Sequence, residues 1–214
     1  MAAPEYRFLT RWLVLASPEE AFAILSDARE LPRWWPAVYL RAEEIEAAGE
    51  GGVGHRVRVH TKGWLPYTLD WEFRVTASRR PHGFSLEAEG DLAGTGEWTL
   101  EADGPWTAIT YDWRIRAEKP LLRVLTPLLR PLLEFNHRWA MARGEESLSL
   151  ELSRRRCATP SERARIPAPP AAASAAPVIA SALAVGAAAL LLGRLLGGRA
   201  SRRRRRRRLP FRLR

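Results

Sequence analysis

Three residues of this 214-residue chain combine a polar group with surroundings apolar enough to make it reactive: Tyr111, Asn136 and His137. Tyr111 stands between Ile109 and Trp113 on an alternating stretch, and Asn136 and His137 stand between Phe135 and Trp139. A phenol, a carboxamide or an imidazole held among apolar side chains can polarise a carbonyl or take a proton beside it. These three are therefore the candidate catalytic residues. Each also has an ordinary structural reading. The Tyr111 hydroxyl could bond a neighbouring backbone group. Asn136 could cap or pack. His137, two positions from both Phe135 and Trp139, would lie off the helical face they mark, at the surface or between helices. Other chemistries find little support. His55 and His60 would face opposite sides of a strand and His82 sits in a turn, so no metal site is expected. The single cysteine, Cys157, excludes an intramolecular disulfide and zinc held by paired cysteines. No Ser-His-Asp pattern, phosphate loop or nucleotide-binding glycine pattern stands out, and no cofactor is expected.

The elements that must position these residues are mostly strands. Tyr67, Leu69, Trp71, Phe73 and Val75 alternate with polar residues, as do Ile109, Tyr111, Trp113 and Ile115, and Phe84, Leu86 and Ala88. Shorter candidates surround Val57 and Val59, and Trp98 and Leu100, with two more at 5–16 and 38–47. Gly49 to Gly54, Lys62-Gly63, Pro81-His82-Gly83, Gly90 to Gly96 and Asp103-Gly104-Pro105 divide them as turns. Seven short strands joined by tight turns predict an antiparallel sheet with one apolar face. Ser17-Pro18-Glu19-Glu20 starts a helix, with serine as cap and proline in the first turn. A second short helix or turn falls between Asp27 and Trp35. Residues 121–153 form a long helix, kinked or restarted at Pro127 and Pro131, with Leu132, Phe135 and Trp139 on its apolar face. Against it the sheet turns Trp71, Phe73, Phe84, Trp98, Tyr111 and Trp113, while Arg56, Arg58 and His60 point to water. These aromatics either pack a core or line a cavity between sheet and helix.

Charge divides the chain. Residues 1–153 hold 18 basic and 23 acidic side chains and all nine tryptophans, and residues 154–214 hold 16 arginines and Glu162. The net of +10 therefore belongs to a tail, and a globular basic nucleic-acid-binding domain is excluded. Residues 154–177, rich in Arg, Ala, Pro and Ser, read as a flexible linker. Residues 178–196 are apolar and marginal in length for a membrane span, and 197–214 form a polybasic tail containing Arg202, Arg203, Arg204, Arg205, Arg206, Arg207 and Arg208. Such a run favours an anionic membrane surface by about 1 kcal/mol per arginine. Nucleic acid is the weaker alternative partner. Met1–Trp12 lacks a charged start followed by an apolar run, so no secretory signal is expected and the domain is placed in the cytoplasm. One crossing at 178–196 would then conflict with the positive-inside rule, unless a short tail is translocated or the segment enters a single leaflet.

The order strand, two short helices, six strands, long helix resembles the START-like (SRPBCC) superfamily, in particular bacterial polyketide cyclase/dehydrase and lipid-transport-like proteins. The resemblance covers residues 5–153. It is carried by Ser17 to Phe22, by Asp27 to Pro36 with Trp34-Trp35-Pro36, and by Gly52-Val53-Gly54. Phe135-Asn136-His137-Arg138-Trp139 and Gly144-Glu145-Glu146-Ser147-Leu148 complete it. It implies an α+β helix-grip fold, a curved seven-stranded antiparallel sheet around the C-terminal helix. It also implies a hydrophobic or amphipathic small-molecule ligand, lipid or polyketide-like, between the two. Trp71, Phe73, Phe84, Trp98, Trp113, Leu132, Phe135 and Trp139 are then expected to line the cavity. Trp34 and Trp35 are expected at its mouth, either docking on a membrane or plugging the end. The expected function is ligand binding, tethered to a membrane by the tail. The first alternative is an aromatase/cyclase acting through Tyr111, Asn136 or His137. The second is an interaction protein with a plugged cavity and a polyanion-binding tail.

Overall fold

The structure, a computed structural model, describes residues 5–117 and 120–173. Seven strands make one antiparallel sheet: β1 (Glu5–Val14), β2 (Tyr39–Glu46), β3 (Arg56–Lys62), β4 (Thr68–Arg79), β5 (Gly83–Gly90), β6 (Leu92–Asp103) and β7 (Trp106–Ala117). Their order is β1-β7-β6-β5-β4-β3-β2. Helices α1 (Pro18–Leu25) and α2 (Leu31–Trp34) lie between β1 and β2, and α3 (Pro120–Arg156) and α4 (Pro160–Arg165) follow β7. This is the expected α+β helix-grip arrangement, a curved sheet followed by its long helix. The apolar stretch 178–196 and the arginine run 202–208 lie outside the described residues.

Alternation decides the two faces of the sheet. Trp71, Phe73, Phe84, Leu86, Trp98, Ile109, Tyr111 and Trp113 are buried on the inner face. The outer face is ionic. Arg56 and Arg58 both reach Glu72, at 2.8 and 2.6 Å, and Arg74 reaches Glu46. His60 points outward to Asp70 at 2.7 Å, as its place in the alternation requires.

Two expectations about the elements need correction. β6 begins at Leu92, so Gly94 and Gly96 lie inside a strand and do not form a turn. The reason is space. A Cβ on Gly96 would stand 2.8 Å from the Tyr111 hydroxyl and 2.9 Å from the Trp113 ring. Glycine there makes room for the aromatic face of β7. The long helix runs as one element through Pro127 and Pro131, so of the kink or restart expected there the restart does not occur. The N-terminal signal at α1 holds: Ser17 and Glu20 form a reciprocal capping box.

One buried carboxylate fixes the helices to each other. Glu151 on α3 is 2 % exposed and accepts two hydrogen bonds from Arg33 on α2, at 2.9 and 2.7 Å, and another from Arg155. Burial alone would hold the carboxyl protonated, but the guanidinium groups win and lower its pKa. The pair pins α2 under α3, and Trp34 and Trp35 are carried inward with it. Beyond α3, Thr159 and Glu162 cap α4 in the same reciprocal way, and residues 166–173 continue without regular secondary structure.

Candidate functional site: two cavities with a shared aromatic wall

Two cavities open on the inner face of the sheet. The larger, about 480 Å³, lies beside α1 and the Gly51-Gly52 turn and is lined by Phe22, Leu25, Phe73, Phe84 and Leu86, with His55, Ser78 and Arg80 as polar members. The smaller, about 150 Å³, lies between the sheet and α3 and is lined by Phe8, Leu69, Trp113 and Ile115 from the strands and Leu133, Asn136, His137, Ala140 and Met141 from the helix. Tyr39, Trp71, Trp98 and Tyr111 line both. The larger is of the size that holds a drug-sized molecule, and the smaller of the size that holds a ring or a short chain.

Tyr111 sits in the shared wall, stacked on Trp98 with ring centroids 4.0 Å apart. The fully buried, unpaired hydroxyl at the smaller cavity is that of Tyr6 and not that of Tyr111. Burial, reinforced by the neighbouring Tyr39, pushes the pKa of Tyr111 well above the phenol range. Tyr39 is raised as well, by burial. Both phenols therefore stay protonated and can donate.

His137 corrects the helical-face argument. It is not at the surface but lines the smaller cavity, its ring stacked on Phe8 at 4.2 Å and its Nε2 3.1 Å from Thr10 Oγ1. Burial lowers its pKa to about 4, so the imidazole is neutral at pH 7. Asn136 lines the same cavity, but its Oδ1 accepts the Leu65 N–H at 3.0 Å and its amide presses on Gly63. It ties α3 to the β3–β4 connection, the packing role foreseen for it.

Of the expected lining residues, Trp71, Phe73, Phe84, Trp98 and Trp113 are in place. The helical three are not. Phe135 is 41 % exposed and meets the edge of Trp64. Leu132 and Trp139 are half-buried beside the cavities, and Leu133 takes the lining place. The concave face already holds several indoles, so the helix must meet it with small residues such as Ala140 and Gly144. Its own large aromatics are displaced to the flanks. Trp34 and Trp35 are not exposed at a mouth either, at 0 % and 3 % exposure. They fill that end of the fold, Trp35 edge-on to Trp12 and to Tyr39.

Tyr39, His55, Lys62 and Arg80 line the cavities without having been singled out by the sequence. His55 is buried with Nε2 2.9 Å from Glu44. β2 alternates too weakly to mark Tyr39, and Lys62-Gly63 reads as a turn. No Asp or Glu of the described residues lines either cavity. Among the described residues, no group of three His, Cys, Asp or Glu could hold a metal. What the arrangement offers is apolar volume, phenol donors, one neutral imidazole and cations at the margins.

A sheet gripping a helix over an aromatic cavity defines a START-like protein. The family of polyketide cyclase / dehydrase and lipid transport proteins matches residues 10–146, and the chain belongs to it. The fold is similar to that of Zhui aromatase/cyclase from Streptomyces sp. R1128, with TM-score 0.58 and 18% identity over 72% of this chain and 98% of that one. TTHA0849 from Thermus thermophilus is similar at TM-score 0.54 and 18% identity, covering 72% of this chain and 100% of that one. The di-domain ARO/CYC BexL from the BE-7585A biosynthetic pathway gives 0.51 at 15% identity, over 68% of this chain and 49% of that one. No curated protein matches the chain by sequence.

Proposed function

We propose that the domain binds a hydrophobic small molecule carrying a carbonyl or similar acceptor, lipid or polyketide-like, as a carrier rather than a catalyst. The observation that supports this best is the Tyr6 hydroxyl, buried without a hydrogen-bond partner among the described residues and lining the smaller of two apolar cavities that share an aromatic wall. A buried donor left unpaired costs about 1–3 kcal/mol, which a ligand oxygen would recover. The absence of any lining carboxylate favours binding over acid–base turnover. The test is native purification of the full chain, denaturation, and mass spectrometry of the organic extract. A stoichiometric hydrophobic compound supports the reading, and an empty extract at saturating lipid counts against it. Once a ligand is in hand, Tyr6→Phe should weaken its binding about tenfold with little change in melting temperature. Equal affinity would remove Tyr6 from recognition.

The second reading, an aromatase/cyclase-type enzyme, is favoured by one pairing. A protonated phenol and a neutral imidazole line the same cavity, the one able to polarise a carbonyl and the other to accept a proton beside it. Turnover of a linear polyketide analogue, lost in both Tyr111→Phe and His137→Gln, would replace the carrier reading.

The tail completes the proposal. The apolar residues 178–196 and the arginines 202–208 would hold the domain at an anionic membrane. No helix among the described residues is long and apolar enough to cross a membrane. The full chain should sediment with phosphatidylserine-containing vesicles at low salt and far less with neutral ones. Indifference to both ends the tether idea.

A further inference from the structure

The smaller cavity has a cation at its margin that the fold leaves without a counter-ion. Lys62, the last residue of β3, lines that cavity and is half-buried. The neighbouring arginines on the outer face of the sheet are met by carboxylates, Arg56 and Arg58 by Glu72 and Arg74 by Glu46. Lys62 has no carboxylate partner among the described residues. Its Nζ donates instead to a backbone carbonyl, that of Ala173, at 2.7 Å.

That carbonyl comes from far along the chain. After α4 the segment Ile166-Pro167-Ala168-Pro169-Pro170-Ala171-Ala172-Ala173 leads back to the cavity. Ile166, Pro169, Pro170, Ala172 and Ala173 are half-buried, so the segment lies on the domain as a strap, and Arg154 on α3 donates to the Pro167 carbonyl. The lengths agree with a return along α3. Asn136, which touches Gly63 beside Lys62, is about 30 Å of helix from Arg156. Eight residues at the polyproline rise cover about 25 Å, and α4 adds about 9 Å.

We propose that Lys62 is the head-group anchor for an amphipathic carboxylate, and that the strap carbonyl holds its place until such a ligand arrives. The inference rests on the ligand-binding reading above and adds the charge of the ligand to it. A neutral carbonyl is a weaker partner for an ammonium than a carboxylate, whose hydrogen bond is charge-assisted. With its chain in the cavity and its carboxylate on Lys62, the ligand takes the proton donors that Ala173 uses. The strap then loses its terminal tether. Ligand occupancy is thereby converted into release of the segment that leads to the polybasic tail.

Octanoate and 1-octanol, equal in chain length and different in charge at pH 8, serve as probes on the full chain. Binding is followed by tryptophan fluorescence, and strap release by hydrogen exchange at the amides of Ala168, Ala171, Ala172 and Ala173. Octanoate should bind about tenfold more tightly than octanol and should speed exchange in the strap, whereas octanol should not. Lys62→Met should abolish the preference. The double variant P169G/P170G, which loosens the strap without touching the cavity, should raise octanoate affinity about threefold. Equal binding of the two probes with unchanged strap exchange overturns the anchor and leaves the cavity reading standing. A preference that survives in Lys62→Met also overturns it. Failure of both probes to bind overturns the ligand-binding reading itself.

Discussion

Between pH 6.5 and pH 4.5 the domain should lose about 2–3 kcal/mol of stability, and His137→Gln should lose little of it. Burial holds His137 neutral in the folded chain down to about pH 4, whereas in the unfolded chain it protonates near 6.5. In that window the unfolded state binds the extra proton, so stability falls as pH falls. Each pH unit is worth about 1.4 kcal/mol while the difference lasts. The window is clear of the carboxylates. Arg156 lowers Glu20 to about 2, and Arg7 with Arg114 lowers Asp112 to about 2. What those groups contribute is present above their unfolded values, near 4.5 and 3.8, and is lost only as pH drops from there toward 2. Glutamine keeps a polar group opposite Thr10 and removes the titration. Urea unfolding of both proteins at pH 7.5 and 4.5 decides the matter, and parallel losses would assign the effect elsewhere.

Gly144→Ala should lower stability by about 2 kcal/mol although alanine is the better helix former. Glycine costs a helix interior about 1 kcal/mol relative to alanine. At this turn of α3, however, a Cβ would stand 2.4 Å from Trp35 Cζ2 and 2.8 Å from Trp12 Cζ2. Both indoles are flat, buried and already in contact with each other, their centroids 5.6 Å apart. Neither can retreat without displacing Trp98 or Tyr39. Overpacking of this kind costs about 1–3 kcal/mol, and the backbone shift it forces adds to that. The melting temperature should fall by about 4–8 °C. Trp35→Phe in the same chain should recover part of the loss. A stabilised Gly144→Ala would mean that the indoles yield.

These two residues also mark where the sequence stops being readable. Period-two alternation is a property of each strand by itself, so β4 and β7 could be placed from residues 67–77 and 107–116, and the inner face of the sheet with them. The face of α3 is not a property of α3 alone. Phe135 and Trp139 are its most apolar large side chains, and periodicity set the face by them. The face that packs is set by what the sheet leaves free, and a sheet carrying Trp71, Trp98 and Trp113 leaves room for Ala140, Gly144 and an imidazole. Gly96 was misread for the same reason. Its lack of a side chain has no local cause, only the ring of Tyr111 on the next strand. Lys62 is a third case, since the carbonyl it binds is supplied by a segment over a hundred positions later.

The strand order has a consequence for the birth of the molecule. β1 lies at the edge of the sheet and pairs with β7 alone among the strands, with Glu5 opposite Arg116 and Val14 opposite Thr107. The first strand of the domain to be synthesised therefore waits for the last. At 5–20 residues per second the delay is about 5–20 s, during which Tyr6, Trp12 and Val14, all buried in the finished domain, lack the strand they pack beside. Closing a loop of that length also places the pairing of β1 late in folding. Of the seven strands, β1 is the one that stays longest without its partner.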